Sequence, residues 1–251
     1  MKNLIKSALR CMGLEVSRAG AFEAALAGRS IGSLVAFFET LKARQFAPRG
    51  IIDVGANRGE WAEQAHAAFP AAPILMIEPL DEMEGRLTKL AARLPTGSAY
   101  IKAGAGPADG EHVQSIWANI DGSTFLPDPQ KLGTGEQRRT RIVAIDSLLA
   151  GPQASFQPDL VKLDIQGFEL EALKGAQSTF GRTEVYIVET SLFRFLPQMP
   201  ITREVIAFMA ERGYEVYDLT DYLRRARDGA LAQVDLAFVK AEGIFRRDSG
   251  W

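Results

Sequence analysis

From residue 50 onward, short apolar runs alternate with amphipathic stretches, and this alternation limits the possible folds more than any other feature. The runs at 50–54 (GIIDV), Ile74–Ile77 and Leu160–Leu163 are too short for core helices and read as buried strands. A weaker strand follows at 99–103, with further strands at 184–188, 214–219 and 234–239. Helical periodicity falls between them, at 60–69, 81–94, 168–176 and 202–211. Strand–helix alternation predicts a mostly parallel sheet with helices on both faces. The last two strands are joined only by the short charged segment DYLRRARDG, which predicts an antiparallel final pair.

Two regions break the alternation. Alternating runs at 112–117 and 139–145 flank a Gly/Pro/Asp-rich stretch, which predicts an inserted β-hairpin with a long loop at 121–138. Residues 1–47 read as helical, with an apolar stripe of Ile31, Leu34, Val35, Phe38 and Leu41, and Pro48 ends them. The organisation expected is an N-terminal helical extension over 1–47 and an α/β domain over 48–251.

Composition narrows the function classes. Across 251 residues, 29 Lys and Arg stand against 31 Asp and Glu, a net charge of −2. That balance gives no global electrostatic grip on nucleic acid, so no nucleic-acid partner is expected. One cysteine, Cys11, excludes an intrachain disulfide and a cysteine-based zinc site, and two histidines exclude a multi-histidine metal site. The longest apolar stretch, 67–77, is interrupted by Pro70 and Pro73 and is too short to span a bilayer. The first residues show no long apolar run and no cleavage site, so a cytoplasmic protein is expected. Lys2, Lys6 and Arg10 recur every four residues with Leu4, Ile5, Leu9 and Met12 between them. This is an amphipathic helix pattern, packed on the protein's own surface or resting on a membrane surface.

In a sheet of this kind ligands bind beyond the carboxyl ends of the strands. After the first strand comes DVGANRGEW at 53–61. Gly55 and Gly59 permit a tight turn, and the next helix N-terminus offers free N–H groups. A dinucleotide fingerprint would need glycine at 57 and 60, where Asn57 and Glu60 stand; Glu60 would also repel a pyrophosphate. The second strand ends in Ile77-Glu78-Pro79, and an acid there can accept both hydroxyl protons of a ribose. An acidic glycine loop followed by such an acid describes the grip on S-adenosylmethionine (SAM).

The sequence resembles the FkbM family of SAM-dependent methyltransferases. The resemblance is carried by DVGANRGEW, by IEP at 77–79, and above all by KLDIQGFELEALKGA at 162–176, with VAIDSL at 143–148 and VDLAFV at 234–239 in support. It spans about residues 50–240. It implies a Rossmann-like class I methyltransferase sheet, mostly parallel with an antiparallel last strand. It also implies O-methylation of a hydroxyl on a sugar, glycolipid or secondary metabolite, and so a small-molecule or glycan acceptor.

In this reading Asp53, Gly55, Asn57 and Gly59 hold the methionine end of SAM and Glu78 the ribose. Gly104 and Ala105 border the adenine or form a plain turn. Asp164 faces the methyl-transfer point or caps the following helix. Asp164 and Glu189, at adjacent strand ends, are the candidate ligands for a divalent cation such as Mg²⁺. His112, on the hairpin, is a candidate general base beside Asp164; a plain surface histidine is the alternative. Two rival functions remain: a nicotinamide-dependent oxidoreductase, and a non-catalytic binding protein on the same fold.

Overall fold

A computed structural model describes residues 30–127 and 135–247. The amphipathic pattern at the extreme N-terminus and the middle of the 121–138 loop lie outside the described residues. In chain order the main elements are α1 (Leu34–Ala43), β1 (Ile51–Val54), α2 (Glu60–Ala68), β2 (Ile74–Ile77), α3 (Glu84–Ala91), β3 (Ala99–Ile101), β4 (Gly104–Ala105), β5 (Gly110–Ser115) and β6 (Gln137–Val143). They continue with α4 (Ile145–Ala150), β7 (Leu160–Leu163), α5 (Glu169–Lys174), β8 (Val185–Ser191), α6 (Thr202–Ala210), β9 (Tyr214–Arg224) and β10 (Leu231–Lys240).

Seven strands form one sheet in the order β3-β2-β1-β7-β8-β10-β9. The ladders from β3 to β8 are parallel, and β10 runs antiparallel to both β8 and β9. The pleat divides the core in two. On one face Ile51, Met76, Leu160 and Ile187 meet α1, α2 and α3; on the other Ile52, Leu75, Val161 and Tyr186 meet α4, α5 and α6. Both faces are covered, which is why β1, β2 and β7 are apolar at every position but Asp53 and Lys162. The order reverses between β1 and β7, so their carboxyl ends flank a crevice.

A second, three-stranded sheet has the order β4-β6-β5. β5 and β6 are the expected inserted hairpin, paired antiparallel from Gly110↔Ile142 to Ser115↔Gln137. Gly104 and Ala105 are not a plain turn: they pair parallel with Ile142 and Val143. The hairpin is thereby attached to the end of β3.

Four local expectations change. Residues 139–145 do not continue as a strand to Ile145, because α4 begins there, burying Ile145 and Leu148 on one face. A six-residue helix with a single buried face leaves too little period to separate it from a strand. β9 runs on to Arg224 through what read as a charged connection, because its outer face is solvated. α1 starts only at Leu34, after Ser33, whose Oγ accepts from the Ala36 N–H. Its buried residues are Phe37, Phe38 and Leu41, whereas Ile31 and Val35 are exposed. This part of the extension therefore packs into the main core, with Phe38 edge-on to Trp61 and Phe69.

Candidate active site

The turn after β1 is shaped by its neighbours before any ligand is considered. Gly55 has φ +77°, and a Cβ there would lie 1.9 Å from the Asp164 carbonyl oxygen. Only glycine lets the β1 and β7 ends approach so closely. Asn57 is also left-handed, at φ 46°. Gly59, at φ +81°, precedes α2, and a Cβ there would strike Leu90 of α3.

Beneath this turn lies a buried ion pair. Asp53 on β1 and Lys162 on β7 are register partners, with Nζ 3.2 Å from the Asp53 carboxylate. Lys162 Nζ also donates to the Gly55 carbonyl at 2.9 Å and lies 3.5 Å from Asp164 Oδ2. One ammonium thus links the floor, the glycine turn and the end of β7. Burial lowers the Lys162 pKa, but Asp53 and Asp164 outweigh it and leave it above the ordinary lysine value.

Glu78, after β2, is almost wholly buried. Its carboxylate accepts from the Asn57 N–H at 2.8 Å and the Leu80 N–H at 3.0 Å. Burial pushes this carboxyl up to about 7, against the lowering pull of those two N–H groups. Over the opening, Asp121 accepts from Arg58 at 2.6 Å and from the Asn57 amide at 3.0 Å, tying the far end of the hairpin insert to the glycine turn.

These elements enclose a crevice with a cavity of about 160 Å³ that opens to solvent. Gly55, Asn57, Glu78, Gly104, Ala105 and Asp164 all line it. Gln114, Asp121, Ser123 and Phe125 close it from the insert. Asp53 does not line it, since it is fully buried beneath the turn and reaches the crevice only through Lys162. Gly59 packs against α3, outside the lining.

Asp164 does not cap α5. The turn before that helix is held by Glu169, whose buried Oε1 accepts from the N–H groups of Ile165 and Gly167. The Asp164 side chain is left half-exposed in the crevice, where its Oδ1 accepts from Gln166 Nε2 at 3.0 Å. The same amide donates to Glu189 Oε2 at 3.1 Å, so Gln166 joins the two candidate cation ligands. Among the described residues, no group of three or more His, Cys, Asp or Glu side chains is placed to hold a metal ion.

The register extends this acidic row. Glu189 on β8 faces Asp235 on β10, which faces Asp221 on β9. Burial, then the charges of Asp164, Glu169 and Asp235, hold the Glu189 carboxyl well above the ordinary carboxylate range. Asp235 is pushed up to about 7 by burial and by Asp164, opposed by Lys162. Sequence reading passed over Asp235; an acid inside the apolar run VDLAFV was the available signal. It also passed over Gln114 and Asp121, and took Gln166 only as a position of the 162–176 motif.

His112 stands apart from Asp164. It is exposed on β5, its ring lies 5.7 Å from Phe168 and 6.1 Å from Phe125, and it lines an outer groove. Phe125 separates that groove from the crevice and lines both.

An open sheet whose order reverses beside a glycine turn, with a buried acid after the second strand, is the arrangement in which α/β folds hold nucleotides and nucleosides. The family model described as "Methyltransferase FkbM domain" matches residues 53–216, well over half the chain. The chain therefore belongs to the FkbM methyltransferase family. Among solved structures it is similar to methyltransferase FkbM from Methylobacillus flagellatus, at 16% identity and a TM-score of 0.47, over 75% of this chain and 43% of that one. It is also similar to precorrin-6y C5,15-methyltransferase from Geobacter metallireducens, at 13% identity and a TM-score of 0.43, over 82% and 87% of the two chains. A third is 1,6-didemethyltoxoflavin-N1-methyltransferase from Burkholderia thailandensis, with bound 1,6-didemethyltoxoflavin and S-adenosylhomocysteine, at 11% identity and a TM-score of 0.43, over 82% and 76%. The chain spans less than half the length of the Methylobacillus protein. No curated protein matches it. No helix among the described residues is long and apolar enough to cross a membrane.

Proposed function

We propose that the protein is a SAM-dependent O-methyltransferase acting on a hydroxyl of a small-molecule or glycan acceptor. The observation that carries this reading is the convergence of Gly55, Asn57, Glu78 and Asp164 on one crevice in a chain of a methyltransferase family. The crevice suits SAM in its chemistry. Asn57 Oδ1 is buried without a hydrogen-bond partner among the described residues, an acceptor waiting for a donor such as an ammonium. Glu78 offers buried carboxylate oxygens where ribose hydroxyls would lie, each with a lone pair beyond its backbone bond. In this reading Gly104 and Ala105, with Gln114, border the adenine.

When bound, SAM supplies an electrophilic methyl group. The task left to the chain is alignment and removal of a proton. Asp164 orients the acceptor hydroxyl, its own carboxylate held by Lys162 and Gln166. The hydroxyl proton passes to the Asp164 carboxylate, which lines the crevice. His112 belongs to the outer groove in this scheme and contacts the acceptor's remote part. A cation shared by Asp164 and Glu189 is the second reading, favoured by their proximity, and it requires Gln166 to release both carboxylates.

Incubation with methyl-labelled SAM and a panel of sugars, glycolipids and metabolite extracts tests the proposal. Label in a product methyl ether, with S-adenosylhomocysteine formed in equal amount, is expected. Tight binding of NAD in place of SAM would support the oxidoreductase instead. SAM binding with no turnover on any acceptor would support a binding protein.

A further inference from the structure

At the carboxyl end of the sheet, two neighbouring segments turn large apolar side chains to solvent. One is the loop after β8, where Leu192, Phe193 and Phe195 are 37–39% exposed. The other is the β9–β10 hairpin, where Tyr222 is 47% and Leu223 58% exposed. The two segments adjoin: the Leu192 N–H donates to the Ala232 carbonyl, and the Arg225 guanidinium lies 4.1 Å above the Phe193 ring, while Tyr222 and Leu223, consecutive on β9, project from the two sides of the hairpin. Isolated exposed apolar residues are ordinary, but a contiguous aromatic and aliphatic patch marks a contact surface.

The charge of the patch indicates the partner. Although the chain carries −2 overall, residues 221–231 hold three arginines and two aspartates, a local net of +1. Arg225 pairs with Asp228, while Arg224 and Arg227 have no ion-pair partner among the described residues. Arg224 reaches back over the Tyr222 ring, 5.8 Å from its centroid. Aromatic rings and leucine at the tips, with unpaired arginines beside them, suit the boundary between headgroups and acyl chains of an anionic bilayer.

The location gives this surface a purpose. The inner side of the 192–199 loop buries Leu196 and Met199 in a cluster with Phe125 and Phe168, and Phe125 lines the crevice. The outer side of the same loop is the exposed patch. We propose that this patch, Leu192, Phe193, Phe195, Tyr222 and Leu223 with Arg224 and Arg227, docks the protein on an anionic lipid surface and turns the crevice toward acceptors held there. Docking is independent of methyl transfer, so it can fail or succeed whatever the fate of the proposed activity.

The test is co-sedimentation of the full chain with vesicles of phosphatidylcholine alone and of phosphatidylcholine mixed with phosphatidylglycerol. Binding to the mixed vesicles only, weakened by salt, is expected. Phe193→Ser with Leu223→Ser should lower it at least about fivefold through lost apolar insertion. Arg224→Gln with Arg227→Gln should lower it by more than about fivefold, as each arginine near the surface contributes about that factor. Thermal unfolding and circular dichroism confirm that each variant folds. No binding to mixed vesicles, or unchanged binding in both folded variants, would overturn the proposal. Dimerisation of the wild type that Phe193→Ser with Leu223→Ser abolishes would also overturn it, assigning the patch to a second copy of the chain.

Discussion

Lys162 and Asp53 face each other across the β1–β7 ladder as direct register partners, both excluded from solvent, with 3.2 Å between ammonium and carboxylate. The same ammonium bonds the Gly55 carbonyl and approaches Asp164. The pair is thus the support on which the two sides of the crevice rest.

Removing one partner leaves the other charge buried and alone. Lys162→Met is expected to cost about 3–5 kcal/mol of folding stability. Asp53→Asn combined with Lys162→Met should recover much of that loss, because no uncompensated charge remains. Urea denaturation of the three variants measures both effects. A loss below about 1 kcal/mol in Lys162→Met would contradict the role given to the pair.

Gly55 is constrained by the fold first. Gly55→Ala must place a Cβ against the Asp164 carbonyl at a left-handed φ, so a loss of about 1–3 kcal/mol is expected with or without cofactor. Calorimetry of the free and SAM-bound variant checks this. Equal stability to wild type would show that the turn relaxes at no cost.

Glu78 supplies the cleaner test of the cofactor site. Glu78→Ala should weaken S-adenosylhomocysteine binding by about 1.5–3 kcal/mol, read by isothermal titration. Unchanged affinity would remove Glu78 from the site.

Asp164→Asn should lower kcat while leaving most cofactor affinity, because in the proposed mechanism its carboxylate acts on the acceptor. Under the Gln166-bridged arrangement, chelator leaves the rate unchanged. Loss of activity in chelator, restored by Mg²⁺, would assign Asp164 and Glu189 to a cation.

The raised carboxyls of Glu78 and Asp235 give stability a direction with pH. Each is held at about 7 in the folded protein, above its ordinary value near 4, so the folded state keeps protons that the unfolded chain releases. Their contribution is fully present below about pH 4 and is lost as pH rises through about 7, by at most about 1.4 kcal/mol per pH unit for each group. Asp235→Asn removes one of these slopes. Its stability relative to wild type should therefore rise between pH 5 and pH 8 in urea denaturation. A constant difference would mean that Asp235 is not perturbed.

Much of this was legible in the sequence, and the limits have physical causes. β2 and β7 appear at their predicted bounds, because strands covered on both faces are apolar nearly throughout, Lys162 being the exception in these two. The glycine turn, Glu78 and Asp164 follow from the rule that ligands gather at strand ends, and all of them reach the crevice. Asp53 looked like a ligand residue because it adjoins the turn. Its pleat position points it into the floor instead, toward a lysine 109 residues away in the chain.

Local periodicity by itself determined the α/β alternation, the antiparallel last pair and the inserted hairpin, since each depends on residues close in the chain. Only the tertiary structure decided that Lys162 supports the glycine turn, that Gln166 joins Asp164 to Glu189, that Asp235 completes the acidic row, and that His112 faces an outer groove. Those relationships depend on strand order and register across the sheet, set by the packing of two cores at once, and no local run of residues encodes them.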